Sequence, residues 1–358
     1  MDFAQRRLIS QHIGGNELKT PAAVVSHMGA MQAQDFNMVK WAIGARLPGV
    51  SDEQIEKSFN SGEIIRTHLM RPTWHLIVPE DASWLLELTA SRIKSSARSR
   101  HKQLEIDDKL VAKSNMLIEK ALQGNKHMTR NELMDVLENA GIKARNQRSY
   151  HLMFCAELDG VVCSGEIRNK EQTYALLRER VPEIKKIDRD EALALLARKY
   201  FTSHGPASVQ DFAWWSGLSL GDGRRAIELI KPGFISEKAG EIAYWFPDST
   251  ADVSRFADTV HLLPAFDEYI IAYSDRSASL VFDHHKKAVS DNGSFWPVVV
   301  INGLVKGVWK RMKKKDTAVV ELSLFQPVNK REMGGIEKAG ERYGKFLGKK
   351  IVLATDTA

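Results

Sequence analysis

The sequence predicts an α+β protein, with three tandem winged-helix units followed by a C-terminal β-rich, barrel-like domain. Two observations lead to this prediction. An order of three helices and a β-hairpin recurs along residues 1–252, and beyond them the pattern changes from helical periodicity to alternation with β-branched runs. The 358 residues, of which 43% are apolar, are enough for several hydrophobic cores.

The recurring order is clearest in residues 186–252. An amphipathic helix ends at Gly205 and is followed by Pro206, as is typical of a helix stop. Ser208 caps a short second helix that ends at Gly217, and a third helix precedes two short strands. Three helices and a hairpin are the elements of a winged helix, which is a variant of the helix-turn-helix.

Residues 106–185 repeat this order, and residues 1–105 form a looser copy of it. In the middle copy, Thr129 and Glu132 have the spacing of a capping box at the start of the second helix. In the C-terminal part, an Asn-Gly pair at residues 302–303 stands between two apolar runs, which is typical of a two-residue hairpin. The predicted domains are 1–105, 106–185, 186–252 and 253–358.

The charge of the chain is unevenly distributed. The net charge is +6, from 51 Lys and Arg against 45 Asp and Glu, and this alone does not indicate a polyanionic partner. The cations are concentrated, however, in two runs without acids, residues 92–102 and 306–315. Each run taken alone is equally consistent with a solvated face and with phosphate binding. Two such runs, far apart in the sequence, favour phosphate binding.

Several classes of site are excluded or disfavoured. Two cysteines exclude a disulfide framework and a Cys-rich zinc site, and both are expected as small buried residues. The motifs of nucleotide-binding loops and zinc hydrolases are absent, and the adjacent His284 and His285 are typical of a surface turn. No apolar run is long enough to span a membrane. We therefore expect a cytoplasmic protein without a metal or cofactor.

Two glutamines, Gln32 and Gln34, are separated by one residue within residues 28–42. On an α-helix this spacing is ~200° and would direct the two side chains apart. In an extended segment, residues i and i+2 share a face. If the two amides act together, the chain must leave the helix near Gln32, with Asp35 turned aside. The alternative is that both are ordinary surface amides.

Five segments resemble, in order and spacing, the winged-helix DNA glycosylases of the AlkZ/YcaQ kind. They are MQAQD (31–35), RTHLMRPTWHLI (66–77), GPASVQDFAWWSGL (205–218), LLPAFDEYIIAYSDR (262–276) and VVVINGLVKGVWKR (298–311). These bacterial enzymes remove N7-alkylated purines, including interstrand crosslinks, with a Gln-hydrophobic-Gln motif, or Gln-hydrophobic-Asp in the YcaQ branch. The resemblance implies that Gln32 and Gln34, on either side of Ala33, are the catalytic residues.

The resemblance also implies the reaction and the partner. The protein would be a monofunctional DNA glycosylase that hydrolyses the N-glycosidic bond of N7-alkylated purines and leaves an abasic site. Its partner would be double-stranded DNA, and we expect a nucleoid-associated monomer without a cofactor. Asp267 and Glu268 lie in one of the resembling segments and are expected in hydrogen-bonded structural positions. Residues predicted to contact DNA, from their charge and their position on predicted hairpins, are Arg66, His68, Arg71, Lys306, Lys310 and Arg311.

A non-catalytic winged-helix regulator is the alternative function, since most winged helices only bind DNA. A regulator usually carries one such unit per subunit and dimerises on a two-fold site. This chain has three unlike copies, no obvious dimerisation helix and a glutamine pair with no evident use in simple binding. These features favour the glycosylase.

Overall fold

The computed structural model describes residues 2–15, 17–181, 186–248, 259–313 and 317–355. It contains both helices and sheets, so the α+β prediction is confirmed. By its internal contacts the chain divides into two compact units. Unit 1 comprises Met1–Ile55, Ala194–Trp215 and Ser219–Ala358, and unit 2 comprises Glu56–Leu193 and Ser216–Leu218.

The helices begin where the local chemistry favours a cap. Thr20 caps a helix whose first residue is proline, and Thr129 and Glu132 form the predicted capping box. The α-helices of the described residues are α1 Phe3–Ser10, α2 Pro21–Met28, α3 Phe36–Arg46, α4 Asp52–Ser61, α5 Ala82–Gln103, α6 Asp108–Leu122, α7 Arg130–Asn139, α8 Gln147–Leu158, α9 Leu177–Arg180, α10 Arg189–His204, α11 Val209–Ser216, α12 Leu220–Ile230, α13 Glu268–Ile271, α14 His285–Ala288 and α15 Lys330–Leu347.

The strands are short in the first part of the chain and longer near its end. Within unit 2, β2 (Ile65–Leu69) and β3 (Thr73–Ile77) form an antiparallel hairpin. The strands β4 (Met128–Thr129), β6 (Thr173–Leu176) and β5 (Val162–Ser164) form a small sheet in that order. The strands of the described residues are β1 Met31–Gln32, β2 Ile65–Leu69, β3 Thr73–Ile77, β4 Met128–Thr129, β5 Val162–Ser164, β6 Thr173–Leu176, β7 Phe234–Ala239, β8 Ile242–Pro247, β9 Val260–Leu263, β10 Val298–Ile301, β11 Leu304–Lys313, β12 Thr317–Leu324 and β13 Lys350–Thr355.

The part of unit 2 that spans residues 106–185 has the predicted order of elements. Helices α6, α7 and α8 are followed by β5 and β6, which pair with each other. The short strand β4 precedes α7 in the chain and pairs with β6. Apolar faces of the three helices meet in one core, where Ile118, Leu133 and Leu152 are fully buried. Burial of these faces stabilises helices that would be marginal alone.

A five-stranded sheet in unit 1 confirms the predicted C-terminal β-rich domain. Its order is β13-β12-β11-β10-β9, with β12 and β13 parallel and the other pairs antiparallel. Asn302 and Gly303 join β10 to β11 with φ of 50° and 83°, the left-handed torsions that a two-residue type I′ turn requires. Helix α15 packs on the sheet, where the rings of Tyr343 and Trp309 are 5.1 Å apart.

The two compact units cut across the four predicted domains. The segment 253–358 belongs to unit 1 and the segment 106–185 to unit 2, whereas 1–105 and 186–252 contribute residues to both. The division into three winged-helix units, with those boundaries, therefore stays a prediction. Across the described residues, no helix is both long and apolar enough to cross a bilayer.

Candidate active site

The backbone is extended at Gln32, as predicted, and bends at Gln34. Helix α2 ends at Met28, and Gly29 follows with a φ of 76°. A side chain at Gly29 would meet Lys199 Cβ at 3.2 Å, so both torsion and space require glycine there. Strand β1 then contains Gln32. The Asp35 carboxylate caps α3 and so turns away from the pair.

A buried carboxylate holds the backbone of the motif. The backbone N–H of Gln32 donates to Glu268 Oε1 at 2.7 Å, and Glu268 is 1% exposed. The other oxygen, Oε2, accepts from Trp215 Nε1 at 3.0 Å and lies 3.6 Å from His204 Nε2. Burial lowers the pKa of the His204 imidazole below its usual value. Glu268 therefore fixes where strand β1 enters the site.

The neighbouring carboxylate, Asp267, anchors the C-terminal end of helix α3. Arg46 donates to both of its oxygens, at 2.9 and 2.8 Å, and also to Gln11 Oε1 at 2.6 Å. Arg46 and Asp267 are both fully or almost fully buried, so this pair is desolvated and bidentate. The predicted hydrogen-bonded positions of Asp267 and Glu268 are confirmed. Their partners, 221 and 236 residues away, gave no signal in the sequence.

The two glutamines differ in exposure. Gln32 is 6% exposed and Ala33 is fully buried, whereas Gln34 is exposed to solvent. Each amide offers one carbonyl acceptor and two N–H donors without a charge. The site thus presents one largely buried amide and one amide that solvent or a ligand can reach.

Comparisons with known proteins identify the family of this chain and agree with its fold. The family described as DNA glycosylase AlkZ-like matches residues 25–346. The chain belongs to the AlkZ-like DNA glycosylase family. A relative named interstrand DNA cross-link repair glycosylase, from Streptomyces sahachiroi, is 24% identical over 311 residues, which cover 80% of this chain and 81% of the relative.

A solved structure supports the fold. The Streptomyces sahachiroi DNA glycosylase AlkZ superposes with a TM-score of 0.82 at 19% identity, over 99% of this chain and 98% of that one. As an AlkZ-like protein, this chain is a DNA glycosylase and a DNA repair enzyme. The non-catalytic regulator is not favoured.

The AlkZ-like chain carries one set of predicted DNA contacts on β11, in unit 1. Burial alternates along this strand, so Lys306 and Lys310 lie on one face, and the Lys310 side chain is 74% exposed. Arg311 lies on the opposite face and donates to the Tyr343 hydroxyl at 2.9 Å. Alternation thus separates Arg311 from the two lysines, and the DNA contacts of all three stay predictions. Lys314 and Lys315 lie outside the described residues.

The other predicted contacts lie on the β2–β3 hairpin of unit 2. Arg66 and His68 share a face, since both lie against Trp74, but His68 is 1% exposed. Its Nδ1 contacts the buried Glu157 carboxylate and its Nε2 lies 3.1 Å from the Tyr150 hydroxyl. The prediction of His68 as a DNA contact is thus wrong, because both ring nitrogens are engaged inside the protein.

The two arginines of this hairpin remain partly accessible. The Arg66 guanidinium lies 4.4 Å above the Trp74 ring and donates to Gln172 Oε1 at 3.2 Å. Arg71 is half-buried in the turn between β2 and β3. Arg66 and Trp74 also line a cavity of about 420 Å³ within unit 2.

The remaining candidate groups have structural environments. Cys155 and Cys163 are buried, as predicted, and burial raises the pKa of each thiol to about 12. His284 ends a 3-10 turn and His285 begins α14, so the predicted surface turn covers only the first of the two, and both are half-buried. Over the described ranges, His, Cys, Asp and Glu side chains form no group of three or more that could hold a metal ion.

Proposed function

We propose that this AlkZ-like enzyme hydrolyses the N-glycosidic bond of N7-alkylated purines in duplex DNA, including interstrand crosslinks, and leaves an abasic site. The Streptomyces relative is named an interstrand DNA cross-link repair glycosylase, which supports crosslinks as a substrate. The observation that carries the proposal is the hydrogen bond from the Gln32 backbone to buried Glu268, which fixes strand β1 two residues before the exposed Gln34.

The substrate needs little help to lose its base. An N7-alkylated purine is cationic, so the base leaves without being protonated, and the sugar develops oxocarbenium character. The enzyme must then stabilise that positive charge and place a water against C1′. A glutamine amide is too weak a base to deprotonate this water at pH 7, but its carbonyl oxygen can accept a hydrogen bond from it and orient it.

The two amides would divide this work. Gln32, buried and fixed through its backbone, supplies a preorganised dipole, because a group already in place needs no reorganisation during the reaction. Gln34, which is exposed, contacts the incoming water and the sugar. Water is the nucleophile, so the enzyme is monofunctional, and borohydride should trap no covalent protein–DNA adduct.

The test uses an oligonucleotide duplex with one N7-methylguanine, followed by alkali cleavage of abasic sites. Gln34→Ala is expected to lower the single-turnover rate about 100-fold, the size of effect seen when one preorganised polar group is removed. Asn37→Ala removes another exposed amide three residues away and serves as the matched control. Equal rates for the native protein and Gln34→Ala would contradict the assignment.

The pH dependence separates an amide mechanism from a carboxylate mechanism. Neither glutamine ionises. Burial lowers the pKa of His204, the imidazole beside Glu268, so this imidazole gains its proton only at a lower pH than an ordinary histidine. We expect the rate to change less than about twofold between pH 6 and pH 9. A bell-shaped profile with an inflection near the pKa of a carboxylic acid would instead implicate Asp35.

A further inference from the structure

We propose that Phe282 is a wedge that inserts between base pairs of the bound duplex. This rests on the proposed function, since it takes duplex DNA as the partner. The Phe282 side chain is 88% exposed, more than any other large hydrophobic residue among those the structure describes. It opens a 3-10 turn, Phe282–His284, that leads directly into α14. The adjacent Val281 is 50% exposed, so the ring belongs to a small exposed apolar patch, a feature that marks interaction sites.

The turn below the ring is rigid. Leu280, on one side, and Ala288 and Val289, on the other, are buried in the core of the C-terminal sheet. The His284 N–H donates to the Val281 carbonyl at 2.9 Å, which closes the turn. Because its support is fixed, the Phe282 ring would lose little conformational freedom on insertion. The geometry matches the rigid apolar wedges with which proteins separate base steps.

The exposed charge next to the ring is net positive, two lysines against Asp283, and favours a polyanionic partner. Lys286 and Lys287, both exposed, follow the turn on α14. The ring of His284 packs 4.7 Å from the ring of Phe325, whose N–H donates to the Lys306 carbonyl at 2.8 Å. The wedge therefore adjoins the strand that carries Lys306, a predicted phosphate contact. Cations beside an exposed ring suit a duplex, in which phosphates flank the stacked bases.

A protein partner fits these residues less well. The exposed apolar side chains of this region are Val281, Phe282 and Trp296. Together they expose less than the ~800 Å² per partner that a stable protein interface buries. A base step, by contrast, offers a narrow apolar slot into which one ring fits.

Insertion at this point would serve a glycosylase that acts on crosslinked purines. A purine joined to the opposite strand cannot be turned out of the helix in the usual way. Separating a neighbouring base step opens the duplex without extruding the lesion, so C1′ becomes accessible to water. Phe282 is on this account a positioning residue rather than a catalytic one.

The experiment uses N7-methylguanine duplexes that carry 2-aminopurine at successive positions on either side of the lesion, because this base becomes brighter when it is unstacked. The native protein should raise the fluorescence at one position. Phe282→Ala should abolish the rise and weaken binding about tenfold, the order expected for the loss of one aromatic–base stack. Phe282→Trp should restore both.

Two controls keep the result specific. Met116, on α6, is 61% exposed, and Met116→Ala should leave fluorescence and binding unchanged. The melting temperature of Phe282→Ala should equal that of the native protein, since the ring lies outside the core. A rise in fluorescence that survives in Phe282→Ala would overturn the wedge, and so would its absence in the native protein.

The outcomes also separate the wedge from the proposed function. If the native protein raises the fluorescence through Phe282 but releases no base, the wedge is supported and the proposed substrate is wrong. If native protein and Phe282→Ala release the base at equal rates and neither unstacks 2-aminopurine, the function is supported and the wedge is overturned. A dimer that Phe282→Ala dissociates would assign the ring to a second copy of the chain and overturn the proposal.

Discussion

Two regions carry predicted DNA contacts, the β2–β3 hairpin in unit 2 and strand β11 in unit 1, and the structure surrounds these residues differently. On β2, His68 is buried against Glu157 and Arg66 lies on Trp74. On β11, Lys310 keeps 74% of its side chain exposed. The difference shows that a cation on a predicted hairpin is available to DNA only if no other element covers that face.

The covering element explains the contrast in each case. In unit 2, α8 places the Glu157 carboxylate, 1% exposed, beside the face of β2. In unit 1, Glu321 on β12 stands opposite Lys310 in the sheet, and the two charges are 3.1 Å apart at the surface. Removing one partner of a desolvated pair lowers the stability of the fold, because the other partner stays buried. A surface pair contributes little to stability, so its lysine can exchange the acid for another partner.

The largest expected effect is on stability. His68→Ala would remove one of the two described contacts of the buried Glu157 carboxylate, leaving the Trp74 indole N–H, and should lower the free energy of unfolding by about 3 kcal/mol. Denaturation by urea measures the change. Glu321→Gln, which removes the acid of the exposed pair, is the matched control and should change the free energy by about 0.5 kcal/mol or less. An undiminished stability together with weaker DNA binding would restore His68 as a DNA contact.

A smaller effect is expected on DNA affinity. Lys306→Gln and Lys310→Gln should each weaken duplex binding several-fold and make the slope of log K against log salt shallower by about 0.9, the value for one lost phosphate contact. Titrations by fluorescence anisotropy at several salt concentrations measure both quantities. Slopes equal to that of the native protein would show that these lysines do not meet phosphates.

The smallest effect should come from Arg66→Gln. Its guanidinium already lies on Trp74 and donates to Gln172, so a phosphate would have to compete with these contacts. We expect duplex affinity to fall by about twofold or less, measured by the same anisotropy titration. A loss larger than that of Lys310→Gln would reverse the ranking of the two hairpins.

Features set by neighbours along the chain were predictable. The capping box of Thr129 and Glu132, the turn at residues 302–303 and the extended backbone at Gln32 each follow from a few adjacent residues. Hydrogen-bonded positions for Asp267 and Glu268 were also predicted, although their partners were not. The exposed Phe282 had no distinguishing signal, because a phenylalanine among apolar residues is expected in a core.

The amino-acid order by itself determined the helices, strands and turns, since steric and capping preferences act within a few residues. It also marked the glutamine pair as unusual. Only the tertiary structure decided that Arg46 meets Asp267 and that Glu268 holds the Gln32 backbone, across 221 and 236 residues. It likewise decided that His68 is enclosed while Lys310 is not. The groups that surround a charged side chain in space decide whether it is accessible, and the fold of the chain, rather than local spacing, determines which groups those are.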